Sequence, residues 1–520
     1  MRLNQLLISA ALLQSSVSFA AATFPITIDN QTNIATDENV YVAIKAIIDD
    51  KDCMMAFDNS GNGTCEIVNK ESDLSKYNYS LASIPHQLNL PQTASGRVYF
   101  SVGYPVRLHV DPNTDKIVDP DGFNPRDTNY YTLYDKIEYT FNDNGTWMNP
   151  TAVDFFSIPI RITQEGSTSS VKEAGYSSSR EQVLDKVSQT FEQYDATSDK
   201  HWNKLKLNFN NTLLRLMAPG KAMVEIPNTN PFPLTYLADA DSTGFNYTDY
   251  LWDYYRTAKL TVDCSELESQ VALNDYQFTG HVEGDNFVFK NKDGSSVVSI
   301  AKPNNSRPFF AGAGDSFDAE NNTPKAIIIR EFTSAFEAGL LPAENGTVLN
   351  KTFFEQAKPN YYTRNALVAD NGGPWYDLYS KALHSLGESQ PIYTFAYDDA
   401  LGQDGTLHDP SGTAPSVAKI TLGDMSNTTI PNPYADSTTY QITPIIGKDS
   451  QVIYKGKALE SNQVLNNVTI PFHVTLNGNE MDIYINPQMV IPFSQQSDGI
   501  VIDKTASTQA TVIFPSAPKQ

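Results

Sequence analysis

The chain is predicted to adopt a β-rich α+β fold: a β-barrel or sandwich lobe, a mixed α/β lobe beside it, and a separate C-terminal β-sandwich. Three observations predict it. From Phe24 to about Thr163 the sequence repeats strand, turn, strand, with Pro, Asn, Asp and Gly between the runs. Around Ser178 the apolar period becomes helical. From about Ile430 short strands return at roughly ten-residue spacing, with no helix signal.

The elements follow in order. Met1-Arg2, the apolar run Leu6 to Leu13 and the small residues of Ser18-Phe19-Ala20 read as a signal peptide over 1–20. The protein is therefore expected to be secreted. "FPITIDN", "NVYVAIKAII", "GRVYFSVG" and "VRLHV" are strands of the first lobe. "SSREQVLDKVSQTFEQY" predicts a helix, with a capping box at Ser178 and Glu181 and apolar residues at Val183, Leu184, Val187 and Phe191. "NTLLRLMAP" and "YLWDYYRTA" continue a mixed section, and "YQFTGHVEGDNFVFK" and "SVVSIAKP" are strands again. "AIIIREFTSAFEAGLL" and "WYDLYSKALHSLG" are helical, and "PIYTFAYDDALG" reverts to strand and turn. Helices thus interrupt a β-rich region over 22–425, and a cleft between two such lobes is a usual place for a substrate. Residues 430–520 form the second domain.

Composition limits the partners. The chain has 520 residues, 60 Asp and Glu against 37 Lys and Arg, a net charge of −23 and a pI near 4.6. Such a surface repels nucleic acid and anionic membranes, but not a neutral substrate. No stretch after the signal approaches the 18 apolar residues of a membrane span. A soluble monomer is expected. Of three cysteines, Cys53 and Cys65 flank a Gly/Asn-rich loop and could close a small disulfide in an exported protein. Cys264 is expected to be a buried small hydrophobe. Asn-x-Ser/Thr sequons recur along the chain, including one at Asn144.

The informative stretch is "YDKIEYTFNDNGTWMNPTAVDFF", residues 134–156. Ile137, Tyr139 and Phe141 alternate with Lys136, Glu138, Thr140 and Asn142, and Asn144-Gly145 suits a two-residue type I′ turn. That turn would oppose Glu138 to Thr151, Thr140 to Asn149 and Asn142 to Trp147, all on one face. An acid, hydroxyls, amides and an indole are the groups a sugar site needs. Asp154 falls out of phase, so a bulge at Asn149-Pro150 is expected to return it to the side of Glu138. A strand acid beside an aromatic can have its pKa raised by desolvation, which suits a proton donor. From pattern alone, the same alternation also describes an ordinary solvated strand face.

The segment resembles the active-site region of glycoside hydrolase family 64, the thaumatin-like-superfamily β-1,3-glucanases that release laminaripentaose. The resemblance implies Glu138 as general acid and Asp154 as general base, with Thr140, Asn142, Trp147 and Thr151 contacting the glucan. "GRVYFSVG", "LLRLMAPG", "IAKPNNSRPFFAGAG" and "YTFAYDDALG" are similar to further family segments, so the likeness covers roughly 24–425. It implies a crescent with a wide groove, a β-1,3-glucan substrate, no cofactor and inversion at the anomeric carbon. Inverting carboxyls stand about 6.5–9.5 Å apart. Another class of reading is a thaumatin-like protein that binds β-glucan without cutting it. A third makes the C-terminal sandwich a polysaccharide anchor, for which Tyr440, Tyr454 and Tyr484 are candidate aromatics.

Other residues carry blander expectations. Asp398-Asp399 could begin a metal site but lacks a third ligand, so turn capping is expected. His384 is expected to pack or cap, and Trp202, Trp252 and Trp375 to lie in the core.

Overall fold

Alternating apolar residues, most of them in the first 164 positions and the rest near 174 and 407–422, build two sheets with one shared core. A computed structural model describes residues 22–430, apart from short segments of which 165–171, 224–231 and 264–276 are the longest, together with strands within 438–514. The proposed signal sequence at 1–20 and Cys264 lie outside the described residues. One sheet runs in the order Glu173–Gly175, Ile160–Gln164, Ala418–Leu422, Thr23–Asn30 and Gln87–Pro91. Its parallel pair, Thr23–Asn30 with Ala418–Leu422, joins the two ends of this region. The larger sheet runs Leu407–Asp409, Gly145–Pro150, Leu133–Asn142, Thr93–Val102, Val40–Ile48, Lys51–Phe57 and Gly63–Ile67, with Tyr79–Ser80 beside Val40–Ile48.

Phe24, Ile26 and Leu88 from the smaller sheet meet Val98, Phe100, Ile137 and Phe141 from the larger, all buried in one cluster. Each such side chain contributes about 1.5–3 kcal/mol on burial. The sheets are open, stacked face to face, and linked at one edge by the Asn62–Asn89 bridge.

Cys53 and Cys65 are bonded, with Cα atoms 5.4 Å apart. They tie Lys51–Phe57 to Gly63–Ile67, the outermost pair of the larger sheet. In the chain-entropy account a loop of this size is worth about 3 kcal/mol. Replacing both cysteines by alanine is therefore expected to lower the stability of this sheet by about 2–3 kcal/mol, read as a lower urea midpoint.

The helical section forms a second core. The helix Arg180–Tyr194 starts one residue later than expected, because Ser179 and Gln182, not Ser178 and Glu181, close the capping box. Ser179 accepts from the Gln182 amide while the Gln182 side chain accepts from the Ser179 amide. Helices Tyr247–Tyr254, Thr323–Glu337 and Leu378–His384 share this core with a five-stranded sheet, Val297–Ala301 to Thr347–Leu349. Trp202, Trp252 and Trp375 are buried within it, as expected. "PIYTFAYDDALG" forms no extended strand; Tyr393 makes an isolated bridge and Asp398–Leu401 is a 3-10 turn. Among the described residues no helix is long and apolar enough to cross a membrane.

Toward the C-terminus, seven strands from Thr438–Ile446 to Thr511–Phe514 form antiparallel sheets of four and three. The side chains of Tyr440, Tyr454 and Tyr484 lie outside those described.

Candidate active site

The hairpin forms with Leu133–Asn142 as its outgoing arm and Gly145–Pro150 as its return. Ile137, Tyr139 and Phe141 point into the shared core, so Glu138, Thr140 and Asn142 face away from it. The register differs from expectation by two residues. Glu138 opposes Asn149, Thr140 opposes Trp147, and Asn142 opposes Gly145. The turn residues are Asp143 and Asn144, and only Gly145 takes a positive φ, at 127°. A Cβ on Gly145 would lie 2.0 Å from the Asp409 carbonyl oxygen. The glycine therefore serves the contact with Leu407–Asp409 as well as the bend. A shift of two preserves the face, so Glu138, Thr140, Trp147 and Asn149 line one groove of about 410 Å³.

Charged residues from neighbouring strands share that groove. Arg97, opposite Glu138, donates from Nε to Glu138 Oε1 at 3.3 Å. Its Nη1 is bonded to Asp119, which also pairs with Lys45 and accepts from the Tyr99 hydroxyl at 2.6 Å. Burial pushes the Asp119 pKa up, but Lys45 and Arg97 outweigh it and hold the carboxyl below its ordinary value. Glu138 thus sits beside Arg97, while Trp147 lies opposite Thr140 and stacks on His408 at 4.6 Å.

No bulge occurs at Asn149-Pro150, because pairing is regular from Asn142–Gly145 to Ile137–Pro150. The bulge lies in the adjacent strand, where Ala94 and Ser95 oppose Thr140 and Ser95 has φ 49°. Its backbone N–H donates to Thr140 Oγ1 at 3.3 Å.

The break in alternation before Asp154 comes from a change of partner. After Pro150 the chain leaves the hairpin and Thr151 bridges Tyr393. The Ala152 amide donates to the Tyr393 carbonyl at 2.7 Å, and the Tyr379 hydroxyl donates to the Ala152 carbonyl at 2.6 Å. The Ala218 amide donates to the Asp154 carbonyl at 2.9 Å. The Asp154 carboxylate then reaches Lys136, on the same hairpin face as Glu138, and Lys221 at 3.0 Å. Burial pushes the Lys136 pKa down to about 8, and Arg97 adds to the effect.

Asn142, Thr151 and Asp154 are not among the residues that line this groove. Asn142 is half-buried and its Oδ1 accepts from the Asn144 amide at 2.8 Å. Thr151 is buried and its hydroxyl accepts from the Val153 amide at 3.4 Å. Lys45, Arg97, Asp119, Lys136 and Lys221 were not singled out from sequence. Lys136 had a visible signal, because it shares the strand phase of Glu138.

Asp398 caps its turn as expected, with Oδ2 accepting from the Thr394 amide at 2.8 Å. His384 Nε2 lies 2.9 Å from the same oxygen and packs against Tyr362. Among the described residues, no three His, Cys, Asp or Glu side chains converge as a metal site. Nearby, Glu337 and Asp377 are both fully buried, and Asp377 accepts from the Tyr379 amide and the Ser380 hydroxyl. Burial, then the Asp377 charge, raise the Glu337 pKa well above its ordinary 4.5. A raised folded pKa means that the folded state binds more protons than the unfolded one as pH climbs past 4.5. Stability is therefore lost toward higher pH. Glu337→Gln should melt like the wild type near pH 4 and above it near pH 8, by scanning calorimetry over about that range.

The chain is similar to known proteins. Residues 22–422 match the family described as β-1,3-glucanase, Glyco_hydro_64. A protein named glucan endo-1,3-β-glucosidase from Arthrobacter sp. (strain YCWD3) is 27% identical over 366 residues, 69% of this chain and 57% of its own length. One of the same name from Cellulosimicrobium cellulans is 26% identical over the same span. The chain thus spans 57% of the length of each of these relatives. Among solved structures, a β-1,3-glucanase domain from Clostridium beijerinckii aligns with TM-score 0.58 at 21% identity, covering 77% of this chain and 98% of that one. A laminaripentaose-producing β-1,3-glucanase in complex with laminaritetraose aligns with TM-score 0.59 at 21% identity, covering 78% and 100%. The chain belongs to glycoside hydrolase family 64, the β-1,3-glucanase family.

Proposed function

We propose that the protein is a secreted, monomeric endo-β-1,3-glucanase that inverts the anomeric carbon without a cofactor. The names of its relatives and the laminaritetraose complex of its structural neighbour support the substrate. The observation that carries the mechanism is the pairing of Asp154 with Lys136, which ties a second carboxylate to the face that bears Glu138.

A glucan chain lies along the groove on the face of the larger sheet that carries Glu138, Thr140 and Trp147. Glu138 protonates the leaving glycosidic oxygen, and Asp154 takes a proton from the water that attacks the opposite side of the sugar. Thr140 and Trp147, which line the groove, contact the chain, and Asn142 and Thr151 extend that contact beyond its lining. Trp147 is braced from behind by His408, so its indole offers a firm surface to a pyranose ring.

The test is incubation of the full chain with laminarin and curdlan, with the products followed by chromatography and proton NMR. Release of oligosaccharides whose new ends are first α-configured supports the reading. Binding without release would leave a non-hydrolytic glucan-binding protein, and β-configured first products would overturn inversion.

A further inference from the structure

Asp154 is held at both ends of its carboxylate. Oδ2 is bonded to Lys136 Nζ, and Oδ1 lies 3.0 Å from Lys221 Nζ. The two lysines differ in setting. Lys136 exposes only 8% of its side chain and Lys221 exposes 43%. The ammonium of Lys136 also lies 5.6 Å from the Phe155 ring centroid, so bulk water cannot readily take its place.

We propose that Lys136 and Lys221 are positioning residues that keep Asp154 ionised and fixed in one orientation. This rests on the reading of Asp154 as the base. An aspartate has two side-chain torsions, and a partner on each oxygen fixes both. Its backbone is pinned as well, through the Ala218 amide. Ammonium groups on both oxygens favour the charged carboxylate. They also weaken it as a base, and a fixed geometry compensates by presenting its free lone pair to the water without a search.

Further charges face the clamp. Arg97, Glu138, Asp135 and Asp119 surround Lys136, and Arg97, Arg307, Asp121 and Asp119 surround Lys221. The acidic groups oppose, without cancelling, the effect of burial, which holds both lysines below their ordinary pKa.

The test uses the full chain with Lys136→Met, Lys221→Met and Lys221→Arg on laminarin. Both methionine variants should lower kcat, Lys136→Met by about 10²-fold, with KM changed by less than about twofold. The acid limb of kcat/KM against pH should move to higher pH, because removing a cation favours the protonated carboxyl. Lys221→Arg should restore most of the rate, since a guanidinium reaches the same oxygen. Unchanged kcat and acid limb in folded variants would overturn the proposal, as would a loss confined to KM, which would make the lysines glucan contacts. Where Lys136→Met does not fold, the half-exposed Lys221→Met decides. Titration of the Asp154 carboxyl by ¹³C NMR, in wild type and Lys221→Met, reads the clamp independently of turnover. Its failure is thereby separated from failure of the hydrolase reading.

Discussion

Glu138→Gln should lower kcat on laminarin by about 10²–10⁴-fold or more, with KM nearly unchanged. Gln has the shape of Glu, and it can still meet Arg97, which lies 3.3 Å away. What it lacks is a transferable proton. The loss should therefore shrink on a substrate whose leaving group departs without protonation, such as an aryl laminarioligoside. Asp154→Asn should cost a comparable factor by the other route, because an amide cannot accept a proton from water. A good leaving group should not rescue it, whereas added azide, a nucleophile needing no base, should restore part of the rate. If both variants respond alike to both rescues, the division of roles is wrong. Initial rates with reducing-sugar detection give the comparison.

Arg215→Met should destabilise the fold by about 3–4 kcal/mol, lowering the urea midpoint. Arg215 is fully buried on Thr212–Met217. It donates to the carbonyls of Thr132 at 2.6 Å and Gly122 at 3.2 Å, and lies over the rings of Tyr134 and Phe155. Methionine fills the volume but leaves those carbonyls without their donor. The loop they belong to leads into the outgoing arm of the hairpin, so hydrolysis should weaken together with stability. Equal midpoints for wild type and variant would show that water replaces the guanidinium.

The fold class was legible because its cause is local. Ile137, Tyr139 and Phe141 are a period-two pattern, and each is buried where that pattern puts it. The hairpin face was legible for the same reason. Its register was not, because Asn144-Gly145 is the favoured turn dipeptide on its own, and the reason for Gly145 lies at Asp409, far along the chain. Asp154 shows the same limit more sharply. Its phase demanded an irregularity, and a bulge was the local solution; the actual one is a bridge to Tyr393. The helix start moved by one residue because adjacent serines, Ser178 and Ser179, offer nearly the same cap. Lys221 could be placed beside Asp154 only by tertiary structure, whereas the family motif already marked Glu138 and Asp154.

The partner change after Pro150 has a mechanical consequence. Glu138 is rooted in the larger sheet, while the backbone of Asp154 is bonded to Ala218 of the helical core and that of Ala152, two residues before it, to Tyr393. In the proposed mechanism the acid and the base are thus the two jaws of a calliper whose hinge is the seam between the cores. A small slackening of that seam changes the gap before either core melts. Urea well below the unfolding midpoint should therefore reduce turnover while the far-UV spectrum is unchanged, and a bound glucan spanning both jaws should restore it.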